Sequence, residues 1–480
     1  MHDALVGVIL AAGKGVRLYP YSRHTPKVLL EIDGKPLLLR NVEIMRDQLG
    51  INKIFVIVDS SSDIEAALGD GDKFGVSLQY IHNNDVKGGF TKALLLVRDL
   101  IRSHFCVILG DEFYLGSNHH QLLDFLKTDF SAVCALQSTA DRYSIKKNYS
   151  VEVRDGLITS LAEKPVVVEN QFLGCGTFLF SPDIFDLIKE TPVFGRTGNI
   201  EMADVLNLCI GKGGKVDPFY LSGDYVNVNS IDDYNYANYL FRSNNFGRYK
   251  VSLIIPAYNE EDSIGLVVDD FKDRVDQVLV IDNSSSDKTA VVAKKSGAQV
   301  ISGKFGGYGH ALREGLSAAS GDILVLTEAD GTFKSRDLGK LLEYLKDCDM
   351  AIGTRTTKQM IEQAANMSFI LRCGNIAVAK LIESLWWSKN EPRLTDVGCT
   401  YRAIWKSSYK HIEKRLYTNG PEFSPEMMVE VLNSNMRIIE IPVNYHRRIS
   451  GTSKYSVNIL ANIITGLKMI FLILHKRLRF

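Results

Sequence analysis

The chain has 480 residues, 45% of them hydrophobic and 23% charged, and these proportions exclude a disordered protein and a membrane-spanning bundle. Its 56 basic and 56 acidic residues give a formal net charge of zero, which argues against nucleic acid as a general partner. The seven scattered cysteines form no CxxC pair, so we expect reduced thiols in a cytoplasmic protein rather than a disulfide or zinc framework.

The first half begins with a predicted strand at residues 6–10 (VGVIL), a short β-branched run that leads into a glycine-rich loop. Apolar runs at 54–58 and 106–109 predict further strands, and amphipathic helical stretches separate them. This alternation predicts a parallel α/β sheet, in which ligands bind at the carboxyl ends of the strands.

The glycine-rich loop after the first strand is the most specific motif of this half. Gly13 and Gly15 let backbone N–H groups approach a triphosphate, and Arg17 and Lys27 supply positive charge that neutralises it. A glycine loop alone is weak evidence of phosphate binding. Together with Thr-Pro-Lys at 25–27 and Gly-Lys-Pro at 34–36, it closely resembles the signature of the sugar-phosphate nucleotidylyltransferases.

The resemblance covers residues 1–240 and implies a set of ligand contacts. It implies that Asp111, at the end of a predicted strand, binds Mg²⁺ or Mn²⁺. The family's second metal-binding Asp aligns with Asn227, whose amide oxygen can ligate Mg²⁺ but adds no charge. The other implied contacts are with the base (Asn84, Gly89), the sugar pocket (Tyr149, Gly176), and the sugar and its phosphate (Glu163, Lys164).

The implied reaction is attack by an oxygen of a sugar-1-phosphate on the α-phosphate of an NTP, with release of pyrophosphate. Such chemistry needs no protein nucleophile. Positioning and charge stabilisation by Arg17, Lys27, Lys164 and the metal ion would carry it.

Between the halves, the polar and turn-rich segment 242–250 predicts a linker. We therefore expect a nucleotidylyltransferase domain at 1–240, a linker at 241–249, a second domain at 250–455 and a C-terminal helix within 456–480.

The second half repeats the pattern of the first. Predicted strands at 251–255, 277–281 and 323–326 lead into Pro256-Ala-Tyr-Asn-Glu260, Asp282-Asn-Ser and Glu328-Ala-Asp330. Two carboxylates two residues apart project to the same side of an extended segment, which suits a divalent cation held against a diphosphate.

Taken as a set, these motifs resemble those of the inverting family 2 glycosyltransferases. The resemblance implies substrate contacts at Pro256, Glu260, Asp282 and Arg355. The family usually has Asp where this chain has Glu328, so we expect Asp330 to be the main metal ligand.

A further motif at 448–454 (RISGTSK) looks like the phosphate-binding loop of polyprenyl-phosphate glycosyltransferases such as dolichol-phosphate mannose synthase, and implies contacts from Arg448, Ser453 and Lys454. The role of Asp396 depends on the acceptor. For a hydroxyl acceptor it would be the general base, whereas for a lipid phosphate it would orient the acceptor or the metal.

Near the end of the chain, apolar residues recur with helical spacing from Leu460 to Leu474, interrupted by Asn462, Thr465 and Lys468 and followed by basic residues at 475–479. The stretch is a poor spanning helix. Two interpretations remain open: an amphipathic helix on an anionic membrane surface, or a helix packed on the enzyme or on a partner subunit.

The sequence thus predicts two Rossmann-like α/β domains in tandem, of the nucleotidyltransferase and GT-A glycosyltransferase folds, with a C-terminal amphipathic helix. The predicted substrates are an NTP, a sugar-1-phosphate, an NDP-sugar and a polyprenyl-phosphate lipid, with peripheral contact at the inner face of the cytoplasmic membrane. The alternative is transfer to a soluble or glycan acceptor, with the N-terminal half as a regulatory module that binds nucleotide-sugar. The oligomeric state is open.

Overall fold

A computed structural model describes residues 5–13, 15–19, 21–23, 25–59, 63–85, 89–193, 198–303, 306–363, 365, 369–387, 391–450 and 459–479. Contacts between Cα atoms divide the chain into two units, Met1–Phe241 and Arg242–Phe480.

The first unit alternates strands and helices. Its strands are β1 Val6–Leu10, β2 Glu31–Ile32, β3 Lys35–Pro36, β4 Lys53–Asp59, β5 Ser77–Asn83, β6 Phe105–Leu109, β7 Glu112–Leu115, β8 Ala132–Ser138, β9 Tyr149–Arg154, β10 Leu157–Glu163, β11 Phe172–Phe180, β12 Val216–Tyr220 and β13 Asp224–Asn227. Its helices are α1 Leu37–Leu49, α2 Ile64–Leu68, α3 Gly89–Leu95, α4 Arg142–Lys147, α5 Ile184–Glu190, α6 Met202–Gly211 and α7 Ile231–Asn245.

The central sheet of this unit is mixed. Its main path runs β10-β9-β11-β6-β1-β4-β5, and β8 joins it by pairing with β11 and with β12. Strand β1 is parallel to both β4 and β6, whereas β11 is antiparallel to β6. Successive side chains of β1 point to opposite faces, so that Val8 and Ile9 enter two separate hydrophobic clusters. Burial on both faces explains the continuous apolar run at 6–10.

The second unit has a seven-stranded sheet. Its strands are β14 Val251–Ala257, β15 Gln277–Asp282, β16 Gln299–Ser302, β17 Ile323–Leu326, β18 Met350–Thr354, β19 Arg402–Trp405 and β20 Ile438–Pro442. Its helices are α8 Ile264–Phe271, α9 Thr289–Lys295, α10 Tyr308–Ala318, α11 Leu338–Leu345, α12 Phe369–Leu385, α13 Lys406–Ile412, α14 Phe423–Asn433 and α15 Ile459–Leu478.

The strand order of this sheet is β16-β15-β14-β17-β19-β18-β20. Strands β15, β14 and β17 are neighbours and parallel, so their carboxyl ends lie at one edge. Strand β19 is antiparallel to β17 and to β18. The predicted class, two tandem α/β units with mixed sheets, is confirmed. The second sheet is mainly parallel, as expected, whereas the described strands of the first sheet form as many antiparallel as parallel pairs, because β8 to β11 are joined mostly antiparallel.

The segment expected to be a polar linker, 241–249, is instead mostly helical. Helix α7 continues to Asn245, and a 3₁₀ turn follows at Phe246–Arg248. The rings of Phe246 and Tyr249 pack edge-on against Trp405, with ring centroids 6.4 and 4.8 Å away. The polar composition of the segment predicted a loop, but its two aromatic side chains favour packing over exposure.

Helix α15 has two different faces. Met469, Leu472 and Ile473 are buried in the core of the second unit. Lys476 is also buried, and its Nζ lies 2.9 Å from Glu426 Oε1 and 2.7 Å from Glu430 Oε1. The opposite face exposes a stripe of large apolar side chains: Ile463, Ile464, Leu467, Phe471, Leu474 and Leu478. No helix in the described part of the chain is long and apolar enough to cross a membrane.

Candidate active sites

The first site lies where β1 and β6 end. Gly15, in the loop after β1, lies against Lys27. Its φ is +60°, and a Cβ on it would lie 2.8 Å from Lys27 Cβ. Glycine is therefore required for both the backbone conformation and the close approach. Gly13 has open space around it, as a loop that receives a ligand needs.

Lys27, Asp111, Asn229 and Arg17 form a cluster at this edge, which we call the Lys27 cluster. Lys27 Nζ lies 2.5 Å from Asp111 Oδ2 and donates to Asn229 Oδ1 at 2.7 Å. Arg17 donates to the same amide oxygen at 3.3 Å, and its side chain is exposed. The cluster thus presents two cations and a carboxylate at the strand ends, the arrangement that a metal-bound triphosphate needs.

Asn229, which the sequence analysis missed, is the amide beside Asp111 and Lys27. Asn227, aligned with the family's second metal ligand, is linked to the Lys27 cluster through Asn229. Its Nδ2 donates to Asn148 Oδ1 at 2.7 Å, and its Oδ1 accepts from Asn229 Nδ2. The signal available in the sequence was the repeated Asn at a spacing of two in Asn-Val-Asn, which leaves open which amide faces the carboxylate.

A cavity of about 450 Å³ adjoins the Lys27 cluster, and Arg17 and Asn229 belong to both. All four residues predicted to contact the sugar or its phosphate line it. The lining includes Arg17, Tyr149, Glu163, Lys164, Gly176 and Asn227, together with Glu112, Lys147, Glu201 and Tyr225. Burial raises the pKa of Glu163.

Glu112 is a second residue that the motifs did not reveal. Its carboxylate is 1% exposed and accepts hydrogen bonds from the hydroxyls of Tyr225, at 2.7 Å, and Tyr114, and from the N–H of Gly176 at 2.8 Å. A Cβ on Gly176 would lie 2.5 Å from Glu112 Oε1, so glycine leaves the room that this carboxylate occupies. Burial raises the pKa of Glu112 to about 7.

The two residues predicted to contact the base lie outside the lining of this cavity. Asn84 is exposed and follows the end of β5. Gly89 starts α3 with a φ of +74°, and the position of its absent Cβ faces Asn199 at 3.7 Å. Their roles remain predictions.

The second site lies at the common edge of β14, β15 and β17. Pro256 and Asp282 are in the last two positions of their strands, where Ala257 pairs with Asp282. Asp282 is buried, and its Oδ1 accepts from Ser285 N at 3.3 Å. Glu260 follows β14 and accepts from Ser263 Oγ at 2.9 Å.

Glu328 and Asp330 follow β17 and face basic and hydroxyl side chains. Glu328 Oε1 accepts from Thr400 Oγ1 at 2.8 Å, and burial, with Asp330 second, raises the pKa of Glu328 to about 7. Asp330 Oδ1 accepts from Thr332, while its Oδ2 lies 3.2 Å from Arg448 Nη1. Arg448 also reaches Glu260, with Nη2 2.8 Å from Oε1. Ser453 and Lys454 lie outside the described residues.

Asp396 and Arg355 form a buried bidentate pair. Asp396 is 0% exposed and accepts from Arg355 Nε at 2.8 Å and Nη2 at 2.9 Å, and from the N–H groups of Arg355 and Gly398. The neighbouring guanidinium and these N–H groups hold the pKa of Asp396 below its usual value despite burial. Both oxygens are engaged, so this geometry suits a residue that orients Arg355 rather than a general base.

Comparisons with known proteins find relatives of both halves of the chain. A model of the nucleotidyl transferases matches residues 6–242, and a model of glycosyl transferase family 2 matches residues 252–411. The UTP–glucose-1-phosphate uridylyltransferase AglF of Haloferax volcanii is 30% identical over 228 residues, 47% of this chain and 92% of the relative. The dolichyl-phosphate hexose transferase of the same organism is 30% identical over 206 residues, 42% of this chain and 85% of the relative. The chain belongs to both families.

It is therefore a transferase with a sugar nucleotidyltransferase half followed by a family 2 glycosyltransferase half. A third relative, the glucose-1-phosphate thymidylyltransferase of Streptomyces griseus, is 28% identical over 229 residues, 47% of this chain and 63% of the relative.

Both families imply a divalent cation, and the residues of each half fit one. In each site a side-chain cation already contacts the expected carboxylate, Lys27 at Asp111 and Arg448 at Asp330. The donors are oxygens, as Mg²⁺ prefers, and substrate phosphates usually complete its coordination. Among the described residues, no group of three or more His, Cys, Asp or Glu could hold a metal ion without such help.

Proposed function

We propose that the N-terminal half joins a hexose-1-phosphate to an NTP, and that the C-terminal half transfers the hexose, with inversion, from the NDP-hexose to a polyprenyl phosphate. The observation that carries the first reaction is the Lys27 cluster at the edge of a cavity of about 450 Å³ that the predicted sugar contacts line. The observation that carries the second is the pair Glu328 and Asp330 beside Arg448.

In the first reaction an oxygen of the sugar-1-phosphate attacks the α-phosphorus of the NTP, and the bond to the β-phosphate oxygen breaks. Lys27 and Arg17 neutralise charge on the phosphates, and Lys164 binds the sugar phosphate. Glu163 and Tyr149 hold the sugar in the cavity. Asp111, with Asn229 rather than Asn227 as the accompanying amide because Asn229 shares Lys27 Nζ with Asp111, would hold the Mg²⁺, which would supply further charge neutralisation at the phosphates.

A pyrophosphate-release assay on the full chain tests this half. Asp111→Asn should lose most of the rate, because it removes the only charged ligand assigned to the metal. Asn229→Ala should lose more than Asn227→Ala, and the matched change Asn52→Ala, at an exposed position between α1 and β4, should have no effect. Full activity of wild type in excess EDTA would contradict the metal assignment.

In the second reaction the phosphate oxygen of the acceptor attacks the anomeric carbon, and the NDP leaves with the electron pair of the glycosidic bond. A lipid phosphate is already an anion, so no side chain has to remove a proton. The buried pair of Asp396 with Arg355 is consistent with this demand, since Asp396 keeps no oxygen available as a base. The dolichyl-phosphate hexose transferase relative supports the same acceptor class.

The acceptor can be identified with radiolabelled NDP-hexose. With a polyprenyl phosphate, label should enter a lipid-extractable product that mild acid hydrolyses. The matched polyprenol, which has a hydroxyl instead of the phosphate, should give no such product. Labelling of the polyprenol but not of its phosphate would contradict the proposal.

The exposed stripe of α15 supports peripheral contact with a membrane. The stripe lies opposite the buried residues of the helix, and its most exposed side chains are those of Phe471, at 74%, and Leu478, at 87%. Lys468, Arg477 and Arg479 are exposed beside it, and residues 463–479 include no acidic residue. An apolar stripe flanked by basic side chains is the pattern of a helix lying in an anionic lipid surface.

Vesicle co-sedimentation tests this surface without removing the helix. Leu467→Ser with Phe471→Ser should lower binding to vesicles of anionic phospholipid, because both side chains leave water on binding. Leu266→Ser is the matched control, since Leu266 is a comparably exposed leucine at 58%, on α8. Equal co-sedimentation of the double variant and the control would show that the stripe does not bind lipid.

A further inference from the structure

Arg448 occupies an unusual place for a residue expected to bind a substrate phosphate. Its guanidinium is shared between two acidic side chains, with Nη1 3.2 Å from Asp330 Oδ2 and Nη2 2.8 Å from Glu260 Oε1. The three side chains are 23%, 4% and 15% exposed, so the pairs are largely withdrawn from water. The charge that would attract an anion is therefore neutralised in this state.

The backbone next to Arg448 is fixed on the acidic loop. Ile449 N donates to the carbonyl of Asp330 at 3.0 Å, and His446 N donates to the carbonyl of Thr332 at 2.9 Å. The Ile449 side chain covers Gly331, where a Cβ would lie 2.4 Å from Ile449 Cδ1. Segment 446–449 thus crosses the loop that carries the expected metal ligand, and the guanidinium can change partners while its backbone stays in place.

One donor of the guanidinium is unused. Arg448 Nε is buried and has no hydrogen-bond partner among the described residues. An arginine normally uses its planar donor edge for carboxylate or phosphate oxygens, so an unpaired buried Nε indicates an incomplete set of partners. Asp330 and Glu260 are therefore partners that an anion with more oxygens can replace.

We propose that Arg448 and a divalent metal ion exchange with each other at Asp330, and that this exchange sets the order in which the donor and the acceptor bind. When Asp330 binds the divalent ion that accompanies the NDP-sugar, Arg448 would lose this partner, and its guanidinium would bind a phosphate anion instead. The phosphate acceptor consequently binds tightly only after the donor. This inference rests on the proposed glycosyltransfer, but its first step is measured without turnover.

The first experiment measures Mn²⁺ binding to the full chain by electron paramagnetic resonance, with no nucleotide and no acceptor. Arg448→Met should tighten binding at this site by roughly three- to tenfold, the range expected when one partly buried competing ion pair is removed. Arg448→Lys should remain close to wild type because it keeps the competing charge. Arg447→Met is the matched control, since Arg447 is exposed and next in the chain.

Asp330→Ala in the Arg448→Met background identifies the site, because it should abolish the gain. Mn²⁺ affinity that is unchanged or weaker in Arg448→Met overturns the exchange. This readout does not depend on the acceptor, so the exchange can fail while the proposed glycosyltransfer stands, and the reverse also holds.

The second experiment separates the two sources of phosphate that Arg448 could meet. Binding of farnesyl phosphate by the wild type should strengthen when Mn²⁺ and NDP are both present, and Arg448→Met should lose this gain. Binding of Mn²⁺-NDP itself should not weaken in Arg448→Met. Loss of NDP affinity instead would place Arg448 on the donor diphosphate, and equal farnesyl phosphate affinity with and without Mn²⁺-NDP would contradict the order.

Discussion

Glu112 gives a pH dependence that can be measured in the first unit. Its folded-state pKa is about 7 because the carboxylate is buried, whereas an unfolded Glu ionises near 4.3. Between these two pKa values the folded state binds the proton of Glu112 more tightly than the unfolded state does. The contribution of protonated Glu112 to stability is therefore fully present below about pH 4.3 and is lost as the pH rises through 7. Burial disfavours the ionised form of the Glu112 carboxylate, and the three hydrogen bonds that it accepts offset this effect only in part.

We therefore expect the free energy of unfolding of the wild type, minus that of Glu112→Gln, to fall by on the order of 1–3 kcal/mol from pH 5 to pH 7.5. Thermal unfolding followed at the first unit's transition checks this. A difference that stays constant over the same interval would mean that Glu112 is ionised in the folded protein throughout. Glu152→Gln, on β9, serves as the control for a general effect of losing one Glu.

Asp396 supplies a second test at the scale of single residues. Because Arg355 depresses its pKa, Asp396 is ionised throughout neutral pH. Asp396→Asn leaves the buried Arg355 without its counter-charge, a loss of about 3–5 kcal/mol for a broken buried pair. Transfer activity should collapse, but the ratio of wild-type to variant kcat/KM should stay constant between pH 6 and 8.

That ratio is measured with NDP-hexose supplied, so that the first half plays no part. A ratio that falls as the pH decreases through 7 would show that Asp396 titrates as a base during turnover. Asp337→Asn, another buried Asp of the same unit whose partners include Asn444, controls for loss of stability alone.

At the scale of secondary structure, Lys476 decides how α15 is held. It is the buried cation between Glu426 and Glu430, and it also donates to the carbonyl of Arg415 at 2.6 Å. Lys476→Met would leave two buried carboxylates sharing less positive charge, which costs about 3–5 kcal/mol for an uncompensated buried pair. We expect α15 to loosen from α12 and α14.

Hydrogen exchange read by mass spectrometry checks this expectation. Amides in the last two turns of α15 should exchange faster in Lys476→Met than in wild type. Arg479→Met should leave exchange unchanged, because Arg479 is exposed. Unaltered protection in Lys476→Met would show that the apolar contacts of Met469, Leu472 and Ile473 suffice to hold the helix.

The sequence predicted the elements better than the contacts between them. Strands β1 and β17 are continuous apolar runs, and β14 is such a run apart from Ser252, so a local pattern defines them. The glycine loop and Lys27 likewise belong to a local signature. The contact of Lys27 with Asn229 joins residues 202 positions apart, and that of Lys476 with Arg415 spans 61. Neither follows from periodicity, because tertiary packing alone decides which polar groups meet. Asp396 shows the same limit, since its motif was visible but its burial against Arg355 was not.

At the scale of the whole molecule, the two proposed reactions use separate sites and a diffusible intermediate. Lys27→Ala should stop formation of NDP-hexose and leave transfer from added NDP-hexose intact. Asp330→Ala should have the opposite effect. A mixture of the two variants should then convert NTP, hexose-1-phosphate and polyprenyl phosphate into lipid-linked hexose, because each supplies the step that the other lacks.

The double variant is the control for this mixture and should form no lipid-linked product. An inactive mixture, with both single activities still present, would mean that the intermediate passes within one chain and is not released. The assay reads the final product, so it distinguishes these outcomes at equal total protein.

Because one face of α15 is fixed to the enzyme through Lys476, the helix cannot sink freely into a bilayer. A helix with its side chains is about 10 Å across, so only about half of that thickness is available on the side of Phe471. Under the proposed membrane contact, only about 5 Å of the helix would therefore enter the lipid surface, a depth that brings its apolar side chains to the boundary between head groups and acyl chains. The helix would thus limit how deeply the protein inserts, and would hold the transferase at the membrane surface, where a polyprenyl phosphate presents its head group.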